Sequence, residues 1–401
     1  MKKIILITVL FCFLMSACSL DAVNTEFTTE NASIIKYDSD YVKSVWFTYY
    51  ELSDMIKGRR SEEFTKSIKD AFKRVAEMGF NTVTVQVRPF ADALYESDYY
   101  PSSSYAVKKQ GDKLSYDPLS IMCNAAKDNG LKIEAWVNPY RVSNSNDIDS
   151  LADNNMAKVW YNSKKKSNVY VTKKGIYFNP ASKDVIELIV DGAGEIAENY
   201  PVDSIHFDDY FYPVKSKKID SKEYKAYVNN GGKKNLADFR RYCVNNMISE
   251  VYTHIKEINS NVKFGISPAS NIKNDYETLY ADVEKWASDD GFCDYICPQI
   301  YFGFRNIYQP FMLTVKKWVG ITNKPLYIGL PLYKAGKADK YAAQEDKSII
   351  NEFKNNDNII MRQITYLSKI EEVRGFYVFS YGCLDNKLCK KEVENMLKVM
   401  Q

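Results

Sequence analysis

The chain has 401 residues, 45% apolar and 26% charged, the balance of a folded protein with a real core and enough length for one large barrel or two ordinary domains. Its 54 basic and 51 acidic side chains leave a net charge of +3, which gives no electrostatic footprint for nucleic acid, and no such partner is expected. Two histidines, no HExxH and no CxxC leave no zinc motif, so neither a metal nor another cofactor is expected.

At the N-terminus Lys2 and Lys3 precede an apolar run from Ile4 to Met15, followed by Ser16-Ala17-Cys18. A basic start before a short apolar stretch is the pattern of an export signal, and the stretch is too short for a comfortable membrane span. Small residues directly before a cysteine resemble a bacterial lipobox, although Met15 stands where Leu is commoner. Residues 1–17 are therefore expected to be a lipoprotein signal peptide, with Cys18 acylated and holding the chain to the outer face of the cell membrane; secretory cleavage near Ala17 is the alternative. The polar stretch that follows, 18–41, has no periodicity and reads as a tether.

From residue 42 onward strand-like and helical patterns alternate. The predicted strands are 44–49, 82–88, 132–138, 204–208, 263–267, 295–301, 326–330 and 375–380, each rich in Val, Ile, Tyr or Phe. Between them, amphipathic stretches predict helices over 63–78, 118–129, 183–199, 236–258, 276–288, 310–319, 344–355 and 387–400. Eight β-then-α units in one domain-sized chain predict a closed (β/α)8 barrel over 42–401, with an open doubly wound sheet as the alternative. Short helix-to-strand links, such as Gly79-Phe80 and Gly130-Leu131, contrast with long strand-to-helix links, such as 89–117 and 139–182. A barrel spends its loops in this way at the C-terminal face, where the active site lies. The 139–182 insertion is expected to hold a hairpin, 169–171 turning into 176–178. No second domain is expected, and the protein should act as a monomer.

Side chains alternate across a strand, so the apolar set facing the helices identifies the inward set. Val83, Val85 and Val87 turn outward, which aims Thr84, Gln86 and Arg88 at the barrel axis. By the same rule Glu134, Trp136 and Asn138 point inward, as do His206 and Asp208, Ser267, and Cys297, Gln299 and Tyr301. Arg88, Asn138, Asp208, Ser267 and Tyr301 then converge on one mouth, an arrangement that favours a binding or catalytic site over isolated interior hydrogen bonds. Asp209 should point away in a regular strand, unless a bulge at the rim turns it inward; an Asx-type turn is its structural alternative. Cys293 and Cys297 lie roughly 13 Å apart if both sit on a strand, too far for one metal, and are expected to be buried free thiols with the other scattered cysteines.

The chain has no GxSxG elbow, no phosphate-binding glycine loop and no His cluster. It offers carboxylates beside a His and an Arg, and 31 tyrosines, whose rings suit the flat apolar faces and hydrogen-bonding edges of sugars. Two carboxyls across a cleft are the usual equipment for glycosidic cleavage, one protonated and one ionised. Asp208 is the leading candidate, with Asp209 and Glu134 as further catalytic carboxylates and Asp92 in the loop after Arg88. Tyr99, Tyr100, Tyr212 and Phe304 are the expected aromatic rim.

Several stretches resemble the glycosyl-hydrolase-like family 10 barrels of bacterial lipoproteins. They are Val87-Arg88-Pro89 with Asp92-Ala93-Leu94-Tyr95, Ala135-Trp136-Val137-Asn138-Pro139-Tyr140-Arg141, Tyr177-Phe178-Asn179-Pro180, the long run from Val202 through His206-Phe207-Asp208-Asp209-Tyr210 to Pro213, Gly265-Ile266-Ser267-Pro268, Pro298-Gln299-Ile300-Tyr301 and Tyr327-Ile328-Gly329. The resemblance runs in family order from about Val42 to Tyr381. It implies an envelope glycosidase acting on peptidoglycan glycan strands that have lost their stem peptides. It also implies site roles for the Asp208 region, with His206 and Tyr210, and for Arg88, Asp92, Asn138, Arg141 and Gln299. The chain departs from the family at Glu134-Ala135-Trp136, where His-Ala-Trp is common, at Ala125-Ala126, where Ala-His is common, and at Ser102, where a Trp often follows the Pro. No Glu ends the seventh strand, so the common retaining pair is not evident. With an N-acetylated substrate, the sugar's own amide could serve as nucleophile, assisted by Asp208 and Asp209. Hydrolysis of another polysaccharide, and glycan binding without catalysis, are the competing readings.

Overall fold

The computed structural model describes residues 35, 37–209, 211–213 and 216–400; the signal-peptide reading, Cys18 and Tyr210 lie outside them. Eight parallel strands close into a barrel: β1 (Val42–Phe47), β2 (Thr82–Arg88), β3 (Lys132–Val137), β7 (Ser204–Phe207), β8 (Lys263–Ile266), β9 (Tyr295–Ile296), β10 (Leu326–Leu330) and β11 (Val373–Phe379), with β11 pairing back onto β1. All eight coincide with predicted strands, and the architecture is the expected (β/α)8 barrel. The predicted hairpin also forms, as β5 (Val169–Thr172) and β6 (Gly175–Phe178). The short β4 (Arg141–Ser143), not foreseen from the pattern, adds a third strand to it.

Two cores result from the alternation. The outward set, including Val83, Val85, Val87, Ile133, Ile205, Phe207, Ile266 and Ile300, merges with the helices into one large apolar cluster. Inside the barrel a separate cluster joins Val42, Trp46, Trp136, Tyr295, Cys297, Tyr327 and Tyr377. The interior is thus filled by aromatic rings, which accounts for several of the tyrosines.

Departures from expectation have local causes. The chain leaves β1 at Thr48, whose hydroxyl caps a helix over Tyr49–Ile56 while Glu51 returns a bond to the Thr48 N–H; this reciprocal cap ends the strand two residues early. Pro298 has no N–H to give the ladder, so β9 is only two residues long, although Gln299 still bridges Ala269 and Gly329. The single helix expected over 276–288 is two, Ile272–Thr278 and Val283–Ser288, separated at Tyr280 with φ 51°. Between β10 and β11 the main helix is Ile359–Leu367; the expected 344–355 helix is two single turns.

Candidate active site

A pocket of about 520 Å³ opens at the C-terminal mouth of the barrel. Its floor comes from strand ends: Trp46, Gln86, Trp136, His206, Asp208, Ser267, Gln299, Tyr301 and Phe379. Its rim comes from Thr48, Tyr49 and Tyr50 after β1, and from Arg141 and Asn144 in the β3 excursion. Asp209 also lines it. The β7 ladder stops at Phe207, so strict alternation no longer governs the next two residues and both carboxyls reach the pocket.

The two acids sit in different settings. Asp208 is buried and accepts hydrogen bonds from Trp136 Nε1 at 3.0 Å and Asn138 Nδ2 at 3.1 Å. The Asn138 amide cannot reverse without loss, because its Oδ1 accepts from the Arg141 N–H at 3.0 Å. Asp209 is raised above the usual carboxylate range by burial, opposed by a hydrogen bond from Gln299 and the charge of Arg141. Gln299 Nε2 reaches Asp209 Oδ1 at 3.2 Å and the Ser267 carbonyl at 3.0 Å. Arg141 lies over the Phe90 ring at 4.6 Å and donates through Nε to the Pro89 carbonyl at 3.2 Å.

Beneath the acids lies a polar layer. His206 Nδ1 is 3.0 Å from the Tyr295 hydroxyl. Burial pushes His206 down to about 3, so the ring is neutral at neutral pH and its Nε2 has no protein partner. Tyr295 can lie across the barrel there because its facing residue is Gly265; a Cβ on Gly265 would fall 1.9 Å from the Tyr295 ring. Ser267 Oγ is likewise buried without a hydrogen-bond partner. Tyr301 completes the wall, its ring flanked by Tyr333 and Phe379 at 5.7 and 5.8 Å.

Other predicted residues are placed elsewhere. Glu134 is deeper than the pocket wall, accepting from Thr84 Oγ1 at 2.7 Å and the Tyr377 hydroxyl at 2.8 Å, and burial raises its carboxyl. Arg88 does not face the axis as expected. The β2–β3 register slips between Gln86 and Arg88, and this bulge turns Arg88 outward, under the Tyr100 ring at 4.2 Å and against Gly192. Asp92 is buried in the β2 loop, accepts from Gln110 Nε2 at 2.7 Å and is raised to about 6 by burial; it does not line the pocket. The expected aromatic rim is also corrected. Tyr100, Tyr212 and Phe304 are buried and Tyr99 lines a different cavity, whereas Trp46, Tyr49, Tyr50, Trp136, Tyr301 and Phe379 form the aromatic wall.

One acid was not anticipated. Asp275, on the helix Ile272–Thr278, is 0% exposed and neither carboxyl oxygen has a hydrogen-bond partner. Burial, then the charge of Asp209, raises it to about 9. No periodic signal marked it, because the helix carrying it was expected to begin at residue 276. Among the described residues no three His, Cys, Asp or Glu side chains converge as a metal site would require.

Comparison with known proteins places this geometry in context. The chain is 32% identical over 348 residues to glycosyl hydrolase YngK of Bacillus subtilis (strain 168), covering 80% of this chain and 63% of that one. It is 32% identical over 298 residues to glycosyl hydrolase DigH of Escherichia coli (strain K12), covering 68% of this chain and 66% of that one. It therefore spans just under two thirds of the length of either relative. In fold it is similar to the PgaB (BpsB) glycoside hydrolase domain from Bordetella bronchiseptica, with TM-score 0.59, 10% identity, and coverage of 90% of this chain and 99% of that domain. The family model described as glycosyl hydrolase-like 10 matches residues 41–346, and the chain belongs to that family.

Proposed function

We propose that this protein is a glycoside hydrolase of bacterial envelope glycans, acting on peptidoglycan strands stripped of stem peptides. The observation that carries the reading is the pair Asp208 and Asp209: neighbours in sequence, both lining the pocket, Asp208 met by the Trp136 and Asn138 donors and Asp209 raised by burial. Two carboxyls so differentiated are an acid and a charge-stabilising partner. Asp209, raised by burial, holds the proton and gives it to the leaving glycosidic oxygen. Asp208, met by the Trp136 and Asn138 donors, acts as the carboxylate that stabilises the positive charge developing at the sugar or orients an N-acetyl amide that attacks the anomeric carbon. In that case the amide oxygen forms the new bond as the leaving oxygen departs with the Asp209 proton, and water later reopens the ring. His206 Nε2 and Ser267 Oγ, both without protein partners, supply neutral hydrogen-bonding groups for the sugar's polar substituents, and the aromatic wall supplies its apolar face. Glu134, bonded by Thr84 and Tyr377, supports His206 from below.

The test is digestion of purified peptidoglycan, intact and amidase-stripped, beside an unrelated polysaccharide, with mass spectrometry of the released sugars. Release from the stripped strands alone is expected; release from the unrelated polymer alone transfers the reading to another glycan, and release from none of them overturns hydrolysis. We also propose that Cys18 carries a lipid that anchors the exported chain to the membrane. Metabolic labelling with a fatty acid should mark the wild type and not Cys18→Ser.

A further inference from the structure

We propose that Lys173, Lys174, Lys217 and Lys218, beside the pocket, bind carboxylates along the glycan and so select stripped strands over intact ones. This rests on the stripped strand as the substrate, the reading given above. Hydrolysis of the amide that joins a stem peptide to its sugar leaves a carboxylate on that sugar. A stripped strand is therefore a polyanion with its charges on the glycan itself.

Charge is unevenly placed on this chain. Its net charge is only +3, yet residues 164–183, in the loop after β3, hold six lysines and no acid. Residues 216–234, in the loop after β7, hold six lysines and two acids, Asp220 and Glu223. Both acids are consumed within the fold: Asp220 is buried against Arg240, and Glu223 accepts from Asn179 Nδ2 at 2.9 Å. Lys165 is paired with Asp184 at 2.8 Å. Lys173, Lys174, Lys217 and Lys218 are exposed and enter no ion pair among the described residues. A flexible ammonium group suits a repeating anion, because it follows carboxylates on a mobile polymer without demanding a fixed geometry. Its pull is felt over roughly 8 Å at physiological salt and fades as salt rises.

The fold brings both lysine pairs to the mouth of the barrel. Lys173 and Lys174 form the turn between β5 and β6. Thr172 Oγ1 fixes this turn, accepting from the Lys174 N–H and donating to the Gly175 carbonyl, each at 3.0 Å. The turn lies directly against the pocket rim. Gly175 has φ 143°, and a Cβ on it would fall 2.3 Å from the Ser143 carbonyl oxygen and 3.4 Å from Asn144 Cα. Glycine alone permits that approach, and Asn144 lines the pocket with Arg141. Lys217 and Lys218 are drawn to the same hairpin, because the Tyr170 hydroxyl on β5 donates to Ser216 Oγ at 2.9 Å. Ser216 Oγ in turn accepts from the Lys218 N–H at 3.2 Å. This second pair follows Asp208 and Asp209 in the same loop, so a strand crossing the acids can run on over the lysines.

The experiment measures binding to the full chain carrying Asp209→Asn, so that strands are held without being cut. Two end-labelled glycans are compared by fluorescence anisotropy: amidase-stripped strands, and the same strands with their carboxylates converted to methylamides. Stripped strands should bind about tenfold more tightly at low salt, the combined size of a few exposed ion pairs, and the difference should close at high salt. Lys173→Gln with Lys174→Gln, or Lys217→Gln with Lys218→Gln, should each shrink the preference by about threefold, and all four together should abolish it. Lys66→Gln with Lys73→Gln, on the helix Ser61–Glu77, removes as much charge as either pair and should leave the preference intact. Equal affinity for the two glycans, binding of neither, or a preference that survives all four substitutions overturns the proposal. Lysine-dependent binding of phosphatidylglycerol vesicles, without preference between the glycans, also overturns it and assigns the lysines to a membrane surface. Cleavage by the wild type is scored separately. Stripped and methylamidated strands cut at equal rates would leave hydrolysis standing without the lysine selection. No cleavage of either, with the binding preference intact, would overturn hydrolysis and leave the lysine selection standing.

Discussion

Asp275, buried on its helix, lies within electrostatic reach of Asp209, whose charge, once Asp209 ionises, adds to burial in keeping the proton on Asp275. Neither Asp275 oxygen is compensated by a hydrogen bond, so the folded protein binds a proton there that the unfolded chain, titrating near about 3.9, releases. Stability from this site is therefore fully present below about pH 4 and is lost as pH rises toward the folded value of about 9. While the folded form holds that proton and the unfolded form does not, the loss is up to about 1.4 kcal/mol per pH unit. Asp275→Asn should flatten this slope. Urea melts at several pH values check it, and an equally steep fall in the variant refutes the assignment.

Asp208 and Asp209 should respond differently to the same substitution. Asp208→Asn turns an amide N–H toward the Trp136 or Asn138 donors, so the site loses its charge and some of its fit. Asp209→Asn keeps the Gln299 contact through its carbonyl but removes the transferable proton. Both should lower kcat by about 10²–10⁴-fold with folding intact. A substrate whose leaving group needs no protonation should rescue Asp209→Asn and leave Asp208→Asn impaired; equal rescue of both would reverse the division of roles.

Gln299 tests the proton assignment from another side. Its amide lowers the Asp209 carboxyl by donating to the ionised form. Gln299→Leu removes that donor and should move the alkaline limb of the kcat profile upward by about one pH unit, the size expected for losing a hydrogen bond to a charged group. An unmoved alkaline limb with the acid limb shifted upward would mean that Asp209 works in its ionised form.

Arg88 shows where sequence reasoning reached its limit. The eight strands and the inward set from Trp136 through Tyr301 were legible because a period of two, repeated over several residues, survives small errors in strand ends. Arg88 followed the same rule and failed it, because one bulge after Gln86 reverses the facing of everything beyond it and leaves no mark in the residue pattern. Asp209 failed in the opposite direction: the β7 ladder ends before it, so it reaches the pocket that alternation denied it. Asp275 was hidden for a third reason, since its partner is remote in sequence and its helix was misplaced. Arg88→Met should consequently lower Tm, through lost packing on Tyr100, while KM for soluble glycan fragments stays unchanged. A large rise in KM at unchanged Tm would return Arg88 to the site.

Among the described residues after Asp209, Tyr212 is tied to a buried ion pair, Asp220 with Arg240. Asp220 receives Arg240 Nε at 2.6 Å, Arg240 Nη2 at 2.8 Å and the Tyr212 hydroxyl at 2.6 Å, all in a buried setting. Arg240 also stacks between Tyr212 and Tyr280, each 4.9 Å away, and the Tyr212 N–H donates to the Leu279 carbonyl at 3.2 Å. These contacts join the Asp209 loop to the segment after the Asp275 helix, so they fix the acid pair from both sides. Removing one partner leaves a charge buried alone, a loss of about 3–5 kcal/mol. Asp220→Ala should therefore lower Tm sharply, and at temperatures where it remains folded it should lose kcat before KM changes. Asp220→Ala paired with Arg240→Leu, which removes both charges, should recover much of the Tm but not the activity, because the loop has lost its tie while the uncompensated charge is gone. Full recovery of both would show that the pair stabilises the barrel without positioning Asp209.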